Sequence, residues 1–192
     1  MFQRLYKKCL NLAGHKNSNF YLGLISFIES SFFPIPPDII LIPMIIAKRT
    51  KAFIYAFICT ISSVLGGLFG YLIGFALFNS IGIALINLYG MTEYITNLKE
   101  YYNNYGIWFV LIAGFTPIPF KIITITSGLF QLNLIIFILC SLIARGCRFY
   151  LISGLLYLFG ETIKKFIDRY FNFLTILFVI LLIGGVLILN YL

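Results

Sequence analysis

The chain of 192 residues is 61% hydrophobic and 10% charged, and its 14 Lys and Arg outnumber its 6 Asp and Glu. Soluble domains are close to half apolar and a quarter charged, so this composition excludes an ordinary soluble domain and predicts an integral membrane protein. We expect the formal net charge of +8 to mark the cytoplasmic side of the membrane, and we expect no nucleic acid partner.

The first 47 residues contain a basic segment and a broken apolar segment. Stretch 1–19 is mixed and basic, without the apolar core of a secretory signal, so we expect a retained amphipathic segment at the membrane surface. In 20–47, "ESSFFPIPPD" places three prolines and two carboxylates inside an otherwise uncharged run. The 14 residues before the first proline would form a helix of about 21 Å, too short for a hydrocarbon core of about 30 Å. Because proline resists helix continuation, we predict a re-entrant hairpin over 20–47.

The rest of the chain contains apolar spans and a second broken segment. The prolines in "GFTPIPFKIITITSG" predict another re-entrant hairpin over 106–130. The tyrosine-rich, polar stretch 79–105 predicts an outer interfacial segment. Apolar length predicts three transmembrane helices, at 52–78, 132–160 and 170–192. The residues that we assign to the two breaks are Pro34, Pro36, Pro37, Pro117 and Pro119.

The two broken segments resemble each other. "FPIPPDII" (33–40) and "TPIPFKII" (116–123) align without gaps, and proline-interrupted segments at corresponding positions of two halves are typical of transporter repeats. If the basic clusters on either side of the first hairpin both face the cytoplasm, the second hairpin enters from the opposite side. The predicted fold is therefore an all-α polytopic membrane protein. It is an inverted repeat of two re-entrant helical hairpins with flanking transmembrane helices and a C-terminal transmembrane helix.

A glycine stripe lies within the predicted span 52–78. Gly66, Gly70 and Gly74 recur every four residues, so they share one helix face and allow another helix backbone to approach closely. We predict helix packing at this face, and the same stripe could also line a substrate cleft.

The sequence offers few residues for catalysis or metal binding. The cysteines form no CxxC pair and the one histidine, His15, has no metal partner in the sequence, so we expect neither a disulfide nor a metal site. We find no glycine-rich phosphate loop and no serine with a nearby histidine, and we therefore expect no enzymatic activity and no cofactor. The four cysteines are Cys9, Cys59, Cys140 and Cys147.

Five ionisable residues fall at the predicted depth of the membrane, namely Glu29, Asp38, Lys121, Arg145 and Arg148. Each would cost about 2.5–3.5 kcal/mol at a lipid-exposed helix centre, so they must face inward. Lys121 follows the second break, where the positive end of a helix disfavours a cation unless an anion completes the site. We therefore predict that Lys121, Arg145 and Arg148 bind an anionic group. Glu29 and Asp38 would compensate these charges or take up a proton.

Two simpler interpretations of these charges remain open. The five residues could pair only with one another and so fix the docking of the hairpins. The two arginines could also lie near the cytoplasmic end of their helix and extend to the membrane surface. The 15 residues from Arg145 to Phe159 argue against that position, because about 20 Å of apolar helix would still follow.

Residues 20–160 resemble the DedA family of bacterial membrane proteins, part of the VTT-domain group, and most closely its YqaA-type branch. The resemblance rests on Glu29 followed by "FFPIPPD", on "FTPIPFKIITITSG" and on "ARGCRFYLISGLLYLFG". It implies two opposed re-entrant hairpins in the bacterial cytoplasmic membrane, with a cytoplasmic N-terminus. It also implies movement of lipids between leaflets, for which dependence on the proton-motive force is associated with acidic residues.

The resemblance also carries over positions. Glu29 and Asp38 match the acidic pair of the first hairpin, Lys121 falls near a second-hairpin arginine, and Arg145 or Arg148 could match the basic residue of the following helix. Many relatives have an arginine where Gly114 or Phe115 stands here. The identity of the lipid is therefore not transferred.

These observations predict a flippase or scramblase for an anionic or zwitterionic phospholipid or a polyprenyl phosphate. Membrane lipids are the expected partners, and a homo-oligomer is compatible with the sequence. Two other classes stay open: a proton-coupled transporter of a small soluble ion, and a non-transporting scaffold that assembles through the Gly66, Gly70 and Gly74 face.

Overall fold

The computed structural model describes residues 17–31, 36–78, 80, 92–116, 119–160 and 162. Most of the predicted interfacial segment 1–19, the first part of 79–105 and the predicted C-terminal helix 170–192 lie outside these residues. Cys9, His15, Pro34 and Pro117 lie outside them as well.

Every regular element within the described ranges is helical, which confirms the all-α class. The helices, with labels used from here on, are α1 (Ser18–Ser31), α2 (Asp38–Ala47), α3 (Ala52–Leu77), α4 (Thr92–Phe115), α5 (Phe120–Leu129) and α6 (Leu134–Gly160). A short 3-10 turn, Arg49–Lys51, leads into α3. Together with this turn, α3 is long and apolar enough to cross a membrane, and so is α6.

Prolines mark the helix starts that follow the two breaks. Pro37 precedes α2 with φ −65°, and Pro119 precedes α5 with φ −59°. The fixed φ of proline and its missing N–H suit the first positions of a helix, where the backbone donors have no partner within the helix. Asp38 lies in the first turn of α2, where its negative charge is favourable.

Helix α4 differs from the expected segmentation, because it runs without interruption across the boundary between 79–105 and 106–130. Gly106 lies in the middle of the helix, and a Cβ atom there would meet Tyr102 Cδ1 at 2.9 Å and Leu132 Cδ1 at 3.1 Å. Glycine at this position therefore permits close packing and does not break the helix. The polar first half and the apolar second half form one continuous rod.

Helix α3 is the central element on which α1 and α5 pack. A Cβ atom at Gly66 would lie 2.2 Å from the Phe27 carbonyl oxygen of α1, and one at Gly74 would lie 1.9 Å from the Ile125 carbonyl oxygen of α5. Serines add polar contacts between α1 and α3, since Ser26 Oγ donates to the Cys59 oxygen at 2.8 Å. Such contacts between backbones need residues without side chains at the crossing.

The glycine stripe therefore faces helices of its own chain. Gly66 meets α1, Gly70 meets both Thr124 of α5 and Ser30 of α1, and Gly74 meets α5. A scaffold that binds another protein through this face would first have to displace α1 or α5.

Two hydrophobic clusters surround the position of the charged residues. One contains Leu22, Leu41, Cys59 and Phe149 among its buried members, and the other contains Tyr71, Val110, Phe120 and Phe137. Helix α6 contributes to both, through Phe149 and Phe137. Arg145 lies between these two residues in sequence and is itself buried, so a charged side chain lies where α6 packs against both clusters.

Candidate functional site

Arg145 forms a buried ion pair on the inner side of α6. Its Nη2 pairs with Glu29 Oε2 and donates to Ser30 Oγ at 2.9 Å. The side chain of Arg145 is 1% exposed and that of Glu29 is 14% exposed. A charge this deeply buried is tolerated only when it is paired and hydrogen-bonded. The pair therefore fixes the end of α1 against α6.

Two aromatic rings complete the environment of Arg145. Its Cζ lies 4.5 Å from the centroid of the Phe120 ring and 5.5 Å from that of Phe149. Both distances are within the range of cation–π attraction. Phe120 is the first residue of α5, so this contact brings the second break to the same arginine.

Ser30 is a hydrogen-bonding centre beside the ion pair. Its hydroxyl lies 3.1 Å from Glu29 Oε2 and 2.7 Å from Ser63 Oγ, and it accepts from Arg145. Its main-chain oxygen lies 3.2 Å from Thr124 Oγ1. The residues next to the two breaks are thus in direct contact.

Arg148 connects the two breaks through its guanidinium group. Nη2 pairs with Asp38 Oδ2 at 2.5 Å, and Nη1 donates to the main-chain oxygen of Thr116 at 2.7 Å. Asp38 begins α2 after the first break, and Thr116 follows α4 just before the second. Arg148 is 15% exposed and Asp38 is 21% exposed, so this pair is more accessible than the pair of Arg145.

Lys121 occupies the second position of α5 and is half-buried. Both ion pairs found among the described residues use arginine, and neither involves Lys121. Its charge adds to the positive end of α5. The structure thus brings Glu29, Asp38, Arg145 and Arg148 together, and it places Lys121 at the helix start beside Phe120.

Sequence reasoning identified the charged residues but missed three of their contacts. Phe149 lies four residues after Arg145 and so shares its helix face, which is a signal that the spacing contains. Phe120 and Ser30 carry no comparable signal, because their proximity to Arg145 depends on how α1 and α5 pack. Cys59, Cys140 and Cys147 are free thiols.

Comparison with known proteins gives a family and two similar sequences. The VTT domain matches residues 30–158. An uncharacterized protein of Haemophilus influenzae is 35% identical over 161 residues, which cover 84% of this chain and 83% of that protein. An uncharacterized protein of Histophilus somni is 37% identical over 155 residues, covering 81% of each chain. No solved structure matches.

Proposed function

The chain belongs to the VTT-domain family, whose members are generally membrane proteins thought to be transporters, and we propose that it moves lipids between the leaflets of a bacterial cytoplasmic membrane. The proposed substrate is an anionic or zwitterionic phospholipid or a polyprenyl phosphate. Within the family we assign it to the YqaA-type branch of DedA proteins, on the sequence "ARGCRFYLISGLLYLFG" of α6. The N-terminus and the basic turn Arg49–Lys51 would face the cytoplasm.

The proposed architecture has two re-entrant hairpins, α1–α2 and α4–α5, beside the apolar helices α3 and α6. Helices α2 and α5 have 10 residues each, or about 15 Å of helix, which is half of a hydrocarbon core. Helix α1 has 14 residues, or about 21 Å, and is also too short to cross. Irregular backbone at membrane depth requires protein or water around it. The contacts of Arg148 with both breaks support such a protein-lined cleft.

In this proposal the phosphate of the headgroup binds Arg148 and Lys121, while the acyl or prenyl tails stay in lipid. Arg148 is accessible in part, and the free N–H groups at the start of α5 favour an anion. Arg145 is 1% exposed and already holds Glu29, so its proposed role is to hold the first hairpin on α6. The single observation that carries the proposal is the position of Arg148 between the two breaks.

Asp38 is the proposed site of proton coupling. A phosphate that binds Arg148 competes with Asp38 for the same nitrogen. A proton on the displaced Asp38 would neutralise its charge, so lipid binding and proton uptake would be linked through the contact of Asp38 with Arg148.

Lipid exchange in vesicles tests the proposal. The chain is reconstituted with a phospholipid that carries a fluorescent headgroup, and dithionite quenching measures the fraction that changes leaflet. We expect Arg148→Ala and Lys121→Ala to slow exchange by tenfold or more, which corresponds to an activation barrier higher by at least about 1.4 kcal/mol. Lys51→Ala, at an exposed lysine of the turn before α3, is the matched control and should exchange like the unchanged chain.

The outcome distinguishes three functions. Equal exchange rates in all variants would contradict the assignment of the headgroup site. If the unchanged chain gives no exchange with any phospholipid or polyprenyl phosphate, the lipid proposal fails. Uptake of inorganic phosphate that depends on Arg148 would then favour a transporter of a small soluble ion.

A further inference from the structure

Five buried side-chain atoms among the described residues have no hydrogen-bond partner, and all five lie along the buried side of α6. Three belong to the helix itself, namely Ser141 Oγ, Arg145 Nε and Ser153 Oγ. The fourth is Asp38 Oδ1, whose carboxylate is held by Arg148 of α6. The fifth is Nε of Arg49.

Arg49 lies against the end of α6. Its Nη2 donates to the main-chain oxygen of Leu158 at 3.2 Å, and its Nε would lie 2.9 Å from a Cβ atom at Gly160. Lys48, Thr50 and Lys51 beside it are exposed. The fifth atom therefore lies where the buried side of α6 reaches the surface of the protein.

These atoms follow the helix for most of its length. From Ser141 to Gly160 the helix rises about 28 Å, close to the thickness of a hydrocarbon core. Successive positions are separated by a rise of about 4–10 Å, a distance that one to three hydrogen-bonded water molecules can bridge.

Unpartnered polar atoms in a protein interior carry a large desolvation cost. In native structures nearly every buried polar atom has a hydrogen-bond partner. Where no protein group is near, the usual partner is a buried water molecule that makes about three hydrogen bonds. Ser141 and Ser153 are both 0% exposed. Three of the five atoms belong to the buried side of α6 and the other two lie against it. Their position beside two ion pairs calls for one common explanation.

We infer that the buried side of α6 binds a file of water molecules that runs from Ser141, past both ion pairs, to the basic turn at Arg49. The ligand of this site is water, and the file hydrates the pairs of Glu29 with Arg145 and of Asp38 with Arg148 from the Arg49 end. The inference goes beyond lipid transport, because it concerns only which buried groups are hydrated.

Hydrogen exchange at thiols tests this route in the full-length chain in vesicles. Ser141→Cys and Ser153→Cys are made separately after the four native cysteines are replaced by alanine. In D2O a thiol exchanges its S–H proton for deuterium through the thiolate, which forms in water and not in hydrocarbon, and the infrared S–H stretch follows this exchange. Leu155→Cys is the matched control, because this residue is 46% exposed on an apolar surface two residues from Ser153. We expect the cysteines at 141 and 153 to exchange at least about tenfold faster than the cysteine at 155, because only the cysteines at 141 and 153 contact water.

A second measurement uses the unchanged chain, in case a cysteine variant does not fold. X-ray radiolysis converts bound water to hydroxyl radicals, which oxidise adjacent side chains. We expect oxidation of Phe149, which lies between Arg145 and Ser153 and is 0% exposed. Met44 is equally buried in the core of α2 and should stay intact, although methionine is more easily oxidised.

The inference is overturned if the cysteines at 141 and 153 exchange no faster than the cysteine at 155, or if radiolysis leaves Phe149 as intact as Met44. A chain whose thiols exchange as expected but which does not move lipid contradicts the proposed function and leaves the water file standing.

Discussion

The hydroxyl of Thr124 lies 3.2 Å from the main-chain oxygen of Ser30 and joins the two broken segments next to their breaks. Thr124→Val keeps the shape of the side chain and removes this hydrogen bond together with the bond within α5 to the Lys121 oxygen at 2.9 Å. We expect a loss of about 0.6–1 kcal/mol of unfolding free energy, which is the usual worth of such a bond between membrane helices. Thermal unfolding in detergent measures it.

The control for this prediction is Thr116→Val. The Thr116 hydroxyl donates only to the last turn of the preceding helix α4, at the Ile112 oxygen 2.7 Å away. Its removal should leave the melting temperature nearly unchanged. Equal destabilisation by both variants would contradict a special role for the contact between Thr124 and Ser30.

Glu29 and Arg145 should behave as a coupled pair. Glu29→Gln leaves the Arg145 charge buried without its partner, and breaking a buried pair in this way costs about 3–5 kcal/mol. We expect Arg145→Gln to cost a similar amount, and the double variant to lose clearly less than the sum of the two. A double-mutant cycle by chemical unfolding measures the coupling, and additive losses would show that the pair contributes little.

Two glycines on different helices should respond in opposite ways to alanine. A Cβ atom at Gly74 would lie 1.9 Å from the Ile125 oxygen, so Gly74→Ala must push α5 away from α3 and should lower the melting temperature markedly. A Cβ atom at Gly154 would meet nothing within 4 Å. Gly154→Ala should therefore be neutral or stabilising by up to about 1 kcal/mol through helix propensity. Parallel melting curves test both.

Gln131 has a left-handed backbone conformation with φ 58° at the end of α5, where the Leu132 N–H donates to the Ser127 oxygen at 2.9 Å. This φ strains a residue with a Cβ atom, and the Gln131 side chain accepts from Lys99 Nζ at 2.7 Å. We expect Gln131→Gly to be more stable than Gln131→Ala by about 1 kcal/mol, because both lose the contact with Lys99 and only glycine relieves the strain. Chemical unfolding of the two variants gives the difference, and equal stability would argue against strain at this position.

Local sequence patterns predicted part of the fold for identifiable physical reasons. Prolines at 36, 37 and 119 indicated the breaks because proline disfavours helix continuation, although α2 contains Pro43 in its interior. Helices α3 and α6 followed from apolar length alone. The continuity of α4 was not predicted, because the buried side of Gly106 is defined by Leu132, a residue distant in sequence. Local composition had suggested a boundary there.

The candidate site was likewise predicted only in part from local sequence. The cost of a charge in hydrocarbon indicated that Arg145 and Arg148 face inward. It could not indicate which carboxylate each arginine meets, since both choices satisfy the same charge balance. The choice is made by packing, because α1 lies against α3 through Gly66 and so brings Glu29 to Arg145.

The acceptor of Arg148 at the second break is the main-chain oxygen of Thr116, an atom that every amino acid carries. Residue 116 can therefore change during evolution without loss of this link, whereas the arginine cannot. Searches for co-varying residue pairs would not detect the contact. Arg148 thus holds the chain next to the second break through the main chain of residue 116, whichever side chain stands there.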